Sequence, residues 1–402
     1  MDLDYLASFG DQVPLSQFKP DDTISVLAFS SDGRFLASGD HAGRVVIFQI
    51  NPPKTPDGNY SASFVCQIHA HKAEFDYFRS ELSEMKINSL KWVPTQTLNP
   101  LLLSCNSHDA KLWRLNSSPK IQWKPRSGDT IDTFVLPTAV RIDQKYTYEC
   151  VKTYTDLQTE YLVDLQCLPD QHSFLMIDVS CVKLWDIERD VASVSLYRVS
   201  QSEPEITTSA AHASYSFAFL IGDDAGTCRI LDMRQQTEDL TPSIETRTAQ
   251  YLINNNAEGI EGVSSVQFSS DGSSFVVRTF GDLQMWDLRN TSKPVNRTEV
   301  HWFPQQMDFL SNEDYVKDQF RTTITRSGKV VTGQYMANFI SWDPSNNQKN
   351  HHKAVSPRVQ KPPAEPGRDF SKRVTCCEAH PQENIVACVS TAALYLFQEK
   401  EK

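Results

Sequence analysis

With 402 residues, 40% of them hydrophobic, the chain holds more apolar material than one ordinary domain needs, unless it is a repeat array. Its net charge of −11 at pH 7 argues against general binding to nucleic-acid phosphates and mildly favours basic partners. It lacks the run of roughly eighteen apolar residues that a membrane span requires. The start, MDLDYLASFGDQ, has neither the basic nor the apolar region of a secretory signal, so no membrane association is expected. A cytoplasmic protein is expected, with nuclear entry left open.

In chain order, one kind of β-rich segment recurs, closing on an aromatic or aliphatic residue and often followed by Asp: GRVVIFQI (43–50), DAKLWRL (109–115), CVKLWDI (181–187), GTCRILDMR (226–234), GDLQMWDLR (281–289), NFISWD (338–343) and AALYLFQE (392–399). Upstream, ISVLAFSSDGRFLASGD (24–40) and VSSVQFSSDGSSFVVRTFGD (263–282) repeat a layout of strand, Ser-Asp-Gly turn and second strand. A four-stranded unit of this kind cannot bury both faces alone. The expected fold is therefore all-β, a single seven-bladed WD-repeat β-propeller over residues 1–402. The closing residues Phe48, Trp113, Trp185, Leu231, Trp286, Trp342 and Phe397 stand 65, 72, 46, 55, 56 and 55 residues apart. A WD repeat needs only about 40–45, so insertions are expected. The tryptophans are expected to fill space between blades. Ring closure is expected from residues 11–18 pairing beside 394–400.

Residues 69–92 interrupt this pattern. Alternation in EFDYFRS puts Phe75, Tyr77 and Arg79 on one side and Glu74, Asp76 and Phe78 on the other. A strand with aromatics on both faces, outside the blade count, predicts a hairpin arm inserted before the second blade and offered to a protein partner. The other insertions are 116–158, whose role is unread, and 350–373. The latter is Pro-rich, with six Lys or Arg against two acids, and predicts a flexible loop in which Ser356-Pro357 is a weak phosphorylation motif.

EFDYFRS followed by KIN, together with GTCRILDMR, WDLRNTSKPV (286–295), VVTGQYMANF (330–339) and HPQENIVACVSTAALYLFQEK (380–400), resembles the WD-repeat regulatory B subunit family of protein phosphatase 2A. The resemblance runs over nearly the whole chain. It implies a non-catalytic subunit that joins a HEAT-repeat scaffold A subunit and a catalytic C subunit, recruiting phosphoprotein substrates with basic or helical segments. It also implies scaffold binding through Glu74, Phe75, Asp76, Tyr77, Arg79, Ser80, Glu84, Lys86 and Asn88, and substrate binding through Asp40, His41, Asp178 and Tyr335. The chain departs from the family at ELSEM (81–85), where Leu82 and Met85 replace acids, at His41 for a lysine, and at Val179 for an aspartate. A Tyr-His pair leading into the third blade is also replaced, by TEYLVDLQ (159–166). The alternative is a WD-repeat interaction scaffold that no longer partners the phosphatase.

Independently of the resemblance, Asp21, Asp22, Asp40, Asp178, Asp223 and Asp224 fall at turns of one rim, where converging carboxylates would steer basic peptides. Nine scattered cysteines without a C-x-x-C pair read as free thiols. His-x-His at 69–71 lacks further ligands at a convincing spacing, so neither metal nor cofactor is expected. No P-loop, G-x-S-x-G or G-x-G-x-x-G occurs. An enzyme working through acids in the channel has no positive support.

Overall fold

The computed structural model describes residues 3–11, 19–53, 59–76, 81–94, 99–124, 138–156, 159–189, 194–199, 203–234, 243–246, 262–300, 318–357, 370 and 372–399. Apart from one 3-10 turn, Pro20–Asp22, the regular elements among them are strands, arranged as seven four-stranded antiparallel blades and one two-stranded hairpin. Blade one is Ile24–Phe29, Phe35–Asp40, Arg44–Asn51 and Ser61–His69; blade two is Ser89–Trp92, Leu101–Cys105, Ala110–Lys124 and Thr138–Tyr154. Blade three is Leu162–Cys167, Ser173–Asp178, Cys181–Asp186 and Val194–Arg198; blade four is Ile206–Ala211, Ala218–Asp223, Thr227–Asp232 and Ser243–Glu245. Blade five is Val263–Phe268, Ser274–Thr279, Asp282–Asp287 and Asn296–Glu299; blade six is Thr322–Ile324, Val330–Gly333, Asn338–Asp343 and Gln348–Lys353. Blade seven is Val374–Ala379, Ile385–Ser390, Ala393–Glu399 and, from the other end of the chain, Leu3–Phe9.

The predicted propeller is thus borne out, and the seven recurring segments are the third strands. Each closing residue is buried against the preceding blade: Trp113 between blades one and two, Trp185 between two and three, Leu231, Trp286, Trp342 and Phe397 onward, and Phe48 between seven and one. A strand buried on both faces needs long apolar runs, which is why VVIF and LYLF stand out in the sequence.

Closure differs from expectation. Leu3–Phe9 pairs antiparallel with Ala393–Glu399, Leu3 opposite Glu399 and Phe9 opposite Leu394. Residues 12–18, part of the segment expected there, lie outside the described residues. The Leu3–Phe9 strand brings Tyr5 edge-on to Phe397 and Phe9 against Phe48, joining the first, sixth and seventh blades through aromatic contacts.

Insertion 116–158 proves to be largely strand. The third and fourth strands of blade two continue past the blade as a long two-stranded ribbon, with Lys124 opposite Thr138 at its far described end. Segment 350–373 begins not as a loop but as the end of the Gln348–Lys353 strand, hydrogen-bonded to Asn338–Asp343. Ser356 beyond it is buried, 3.4 Å from the Tyr5 hydroxyl, so the Ser-Pro motif is not presented to solvent. Residues 358–369 and 371 lie outside the described residues.

The first strands line the central channel, into which each blade places side chains: Leu27, Lys91, Asp164, Ser209, Ser265, Arg321 and Glu378. Asp164 accepts hydrogen bonds from Ser89 of blade two (2.6 Å) and Ser209 of blade four (2.8 Å), tying three neighbouring blades together.

Candidate functional site: the arm and the channel mouth

Residues 70–88 connect blade one to blade two on the rim that also carries the turns between second and third strands. Within this connection Phe75–Asp76 pairs with Glu81–Leu82, Phe75 opposite Leu82, so the predicted hairpin is present. The Ser83 N–H donates to the Glu74 carbonyl (2.8 Å) and the Glu74 N–H to the Ser83 hydroxyl (2.9 Å), extending the pairing toward the ring. Phe75 and Leu82 are 48% and 67% exposed, an apolar cross-strand pair held away from the core.

The base of the arm is fixed by Gly43. Its carbonyl accepts the N–H groups of Ala70 and His71, and its φ of +74° is open to glycine at little cost. A Cβ there would collide with the His71 carbonyl oxygen and stand 3.0 Å from that of Met85, one on each leg of the arm. Asn106 Nδ2 donates to the Glu84 carbonyl (3.0 Å), and the Tyr161 hydroxyl donates to the Glu84 carboxylate (3.1 Å).

His71, one half of His-x-His, is fully employed. Its Nδ1 lies 2.8 Å from Asp109 and its Nε2 2.9 Å from the Ser104 hydroxyl, to which Trp113 Nε1 also donates (3.0 Å). Burial pushes the Asp109 carboxyl up, but hydrogen bonds from His71 and Lys111 outweigh it and leave it below its ordinary value. This His-Asp-Ser-Trp chain fastens the arm's first leg to blade two. His69 lies exposed on the outer strand of blade one, and among the described residues no metal-binding group occurs.

The predicted site residues separate into three groups. Glu74, Phe75 and the backbone of Asp76 are on the arm, with Glu84 at its base. Tyr77, Arg79 and Ser80 lie outside the described residues. Lys86 and Asn88 are not on the arm: Lys86 lines the channel mouth, and Asn88 is buried, its amide donating to the Leu162 carbonyl of blade three (2.7 Å).

The acids of the rim do not converge as a bare negative groove. Asp40 accepts the Arg44 N–H (2.9 Å) and pairs with its guanidinium (2.6 Å), which Asp22 shares. Asp223 does the same with the Thr227 N–H (2.6 Å) and Arg229 (2.9 Å). Burial raises both carboxyls above the ordinary value, with the arginines opposing. Asp178 is 1% exposed and turned into its own chain, accepting the N–H groups of Ser180 (2.7 Å) and Cys181 (2.5 Å). Tyr335 is fully buried among Phe280, Phe320 and Phe370, its hydroxyl bonded to Asp318. Of the four predicted substrate contacts only His41 lines the mouth.

That mouth is a cavity of about 650 Å³. Its charged lining is Lys86, Arg321 and Arg373 against Glu205 and Asp318, and Asp318 is paired with Arg373 at 2.7 Å. Burial, Lys86 and Arg373 all push the His41 imidazole below its ordinary pKa. Arg321 and Arg373 escaped sequence reading, although each stands immediately before a first strand and Lys86 stands three residues before one. Basic residues at that register would have pointed to the mouth.

Fold and rim together define a seven-bladed WD-repeat propeller with a hairpin arm on one face. In agreement, residues 12–49 match the WD domain, G-beta repeat family. The chain is 27% identical to the gamma isoform of the serine/threonine-protein phosphatase 2A 55 kDa regulatory B subunit of Mus musculus, over 94% of this chain and 93% of that protein. It is 26% identical to the protein phosphatase PP2A 55 kDa regulatory subunit of Drosophila melanogaster, over 94% of this chain and 84% of that protein. Over nearly its whole length the chain is similar to 55 kDa regulatory B subunits of protein phosphatase 2A, proteins named as regulatory rather than catalytic components.

Proposed function

We propose that the chain is the substrate-recruiting subunit of a trimeric serine/threonine phosphatase, binding a HEAT-repeat scaffold subunit through the arm and holding phosphoproteins near a catalytic subunit. It does no chemistry itself; it raises the local substrate concentration seen by the enzyme it is tethered to. The carrying observation is the Phe75–Leu82 hairpin, an exposed apolar pair on a base built from Gly43, Glu84 and Asn106, in a chain similar to regulatory B subunits over nearly its whole length. An exposed apolar pair on a well-anchored base suits a partner groove, because little conformational freedom is lost on docking. Substrate recognition falls to the same rim: His41 meets the ligand, while Asp40, Asp178 and Tyr335 hold the rim in shape. The cytoplasm is the expected place of action.

The test is a pull-down of the purified chain with scaffold and catalytic subunits of the same organism. Wild type is expected to form the trimer, and Phe75→Ala with Tyr77→Ala to lose it while keeping the melting temperature. A folded wild type that binds neither subunit would reject the reading and leave the propeller scaffold without phosphatase partnership.

A further inference from the structure

Lys86 enters the channel mouth from the base of the arm, and its ammonium has no hydrogen-bond or ion-pair partner among the described residues. Burial pushes its pKa down; Glu84 and Asp318 act against this from a distance, while Arg321 and Arg373 add to it. The nearby carboxylates are engaged elsewhere. Glu84 accepts the Tyr161 hydroxyl, and Asp318 is held by Arg373 and by Tyr335. Arg321 donates to the Asn88 carbonyl (2.7 Å) and comes only within 3.9 Å of Asp164.

Three cations from blades two, six and seven therefore face one cavity large enough for a side chain, and one of them, Lys86, has no direct ion-pair partner among the described residues. Burying an ammonium is unfavourable unless an anion with matching acceptors meets it. A carboxylate offers two oxygens and one charge, whereas a phosphate monoester offers three strong acceptor oxygens and nearly two charges, which suits cations arriving from three directions. The net charge of −11 sets a polynucleotide against the rest of the surface, so the phosphate is better carried on a protein. We propose that the channel mouth is a binding site for the phosphate group of a phosphorylated peptide segment, held by Lys86, Arg321 and Arg373. The site requires no phosphatase partner.

The probe is a fluorescein-labelled Gly/Ser heptapeptide with one central phosphothreonine, titrated into the full chain and followed by anisotropy. Saturable binding is expected, with the Thr and Glu versions competing at least about tenfold more weakly. Lys86→Met is expected to weaken binding by about the same factor, Lys86→Arg to retain it, and Lys293→Met, at an exposed lysine elsewhere, to change nothing. Acylation footprinting of wild type supplies a readout independent of variant folding: saturating probe is expected to protect Lys86 but not Lys293. Absence of saturable binding, equal binding of the Thr peptide, or unchanged Lys86 acylation would each overturn the proposal. Inorganic phosphate competing as well as the phosphopeptide would overturn its peptide part.

Discussion

His380 of blade seven and Gly33 of blade one are locked together: the imidazole Nε2 lies 2.9 Å from the Gly33 carbonyl oxygen, and the ring occupies the place a Gly33 side chain would take. The same arrangement joins His212 of blade four to Gly272 of blade five, with Nε2 to carbonyl at 3.1 Å. On the other side of each ring, Nδ1 faces two N–H groups of its own turn, Gln382 and Glu383 or Ser214 and Tyr215. Each histidine thus bridges two blades.

Gly33→Ala combines a φ of +72° with a Cβ that would overlap the His380 ring, so it is expected to cost about 2 kcal/mol or more. Urea unfolding should show a lower midpoint. In a double-mutant cycle, adding His380→Ala should recover part of the loss by removing the clash, whereas additive losses would mean the ring is not the obstacle.

Asp178→Asn and Asp178→Lys separate a turn role from a recognition role. With the carboxylate capping Ser180 and Cys181, Asn keeps one acceptor and is expected to cost about 1 kcal/mol, while Lys, buried without a partner, is expected to cost about 3 kcal/mol or more. Thermal denaturation checks both; a fully stable Lys variant would return Asp178 to the role of a surface contact.

Glu378 provides a pH test. Burial in the channel raises its carboxyl to about 7, with Lys91 and Arg321 opposing. Its folded pKa lies above its unfolded one, so the native state holds the extra proton between the ordinary glutamate value and about 7. Stability is expected to fall as pH rises through that window, by about 3 kcal/mol at most, and to level off above it. Glu378→Gln should melt higher than wild type at pH 8 and nearly the same at pH 4.5. An equal difference at both values would contradict a titration.

Gly43→Ala drives a methyl group between the two legs of the arm. Amide exchange over residues 72–86 is expected to speed by about tenfold or more, while blades three to six keep wild-type protection. Loss of protection throughout would show that the arm's base is part of the global fold.

The ring was legible because its third strands are nearly continuous apolar runs that end on a large residue, as in KLWRL just after Asp109 and KLWD in blade three. Outer strands such as Asn296–Glu299 and Gln348–Lys353 were not, since one face meets solvent and the residues are polar. The arm announced itself by aromatics in both registers of EFDYFRS. The rim was misjudged for a physical reason. Asp is frequent at these turns, and only the folded chain reveals that Asp40 and Asp223 are neutralised by arginines four and six positions later, or that Tyr335 points into a nest of phenylalanines.

The sheet that unites Leu3–Phe9 with Ala393–Glu399 sets a timetable for biogenesis. A ribosome delivers the outer strand of blade seven first and its partner last, so Tyr5 must wait for Phe397 while almost every other blade is assembled. Throughout that interval the nascent chain is an open arc with two adhesive ends. Messages cut short before the final strand would yield arcs that never seal, and such products would be natural clients for chaperones and proteases rather than competitors of the finished ring.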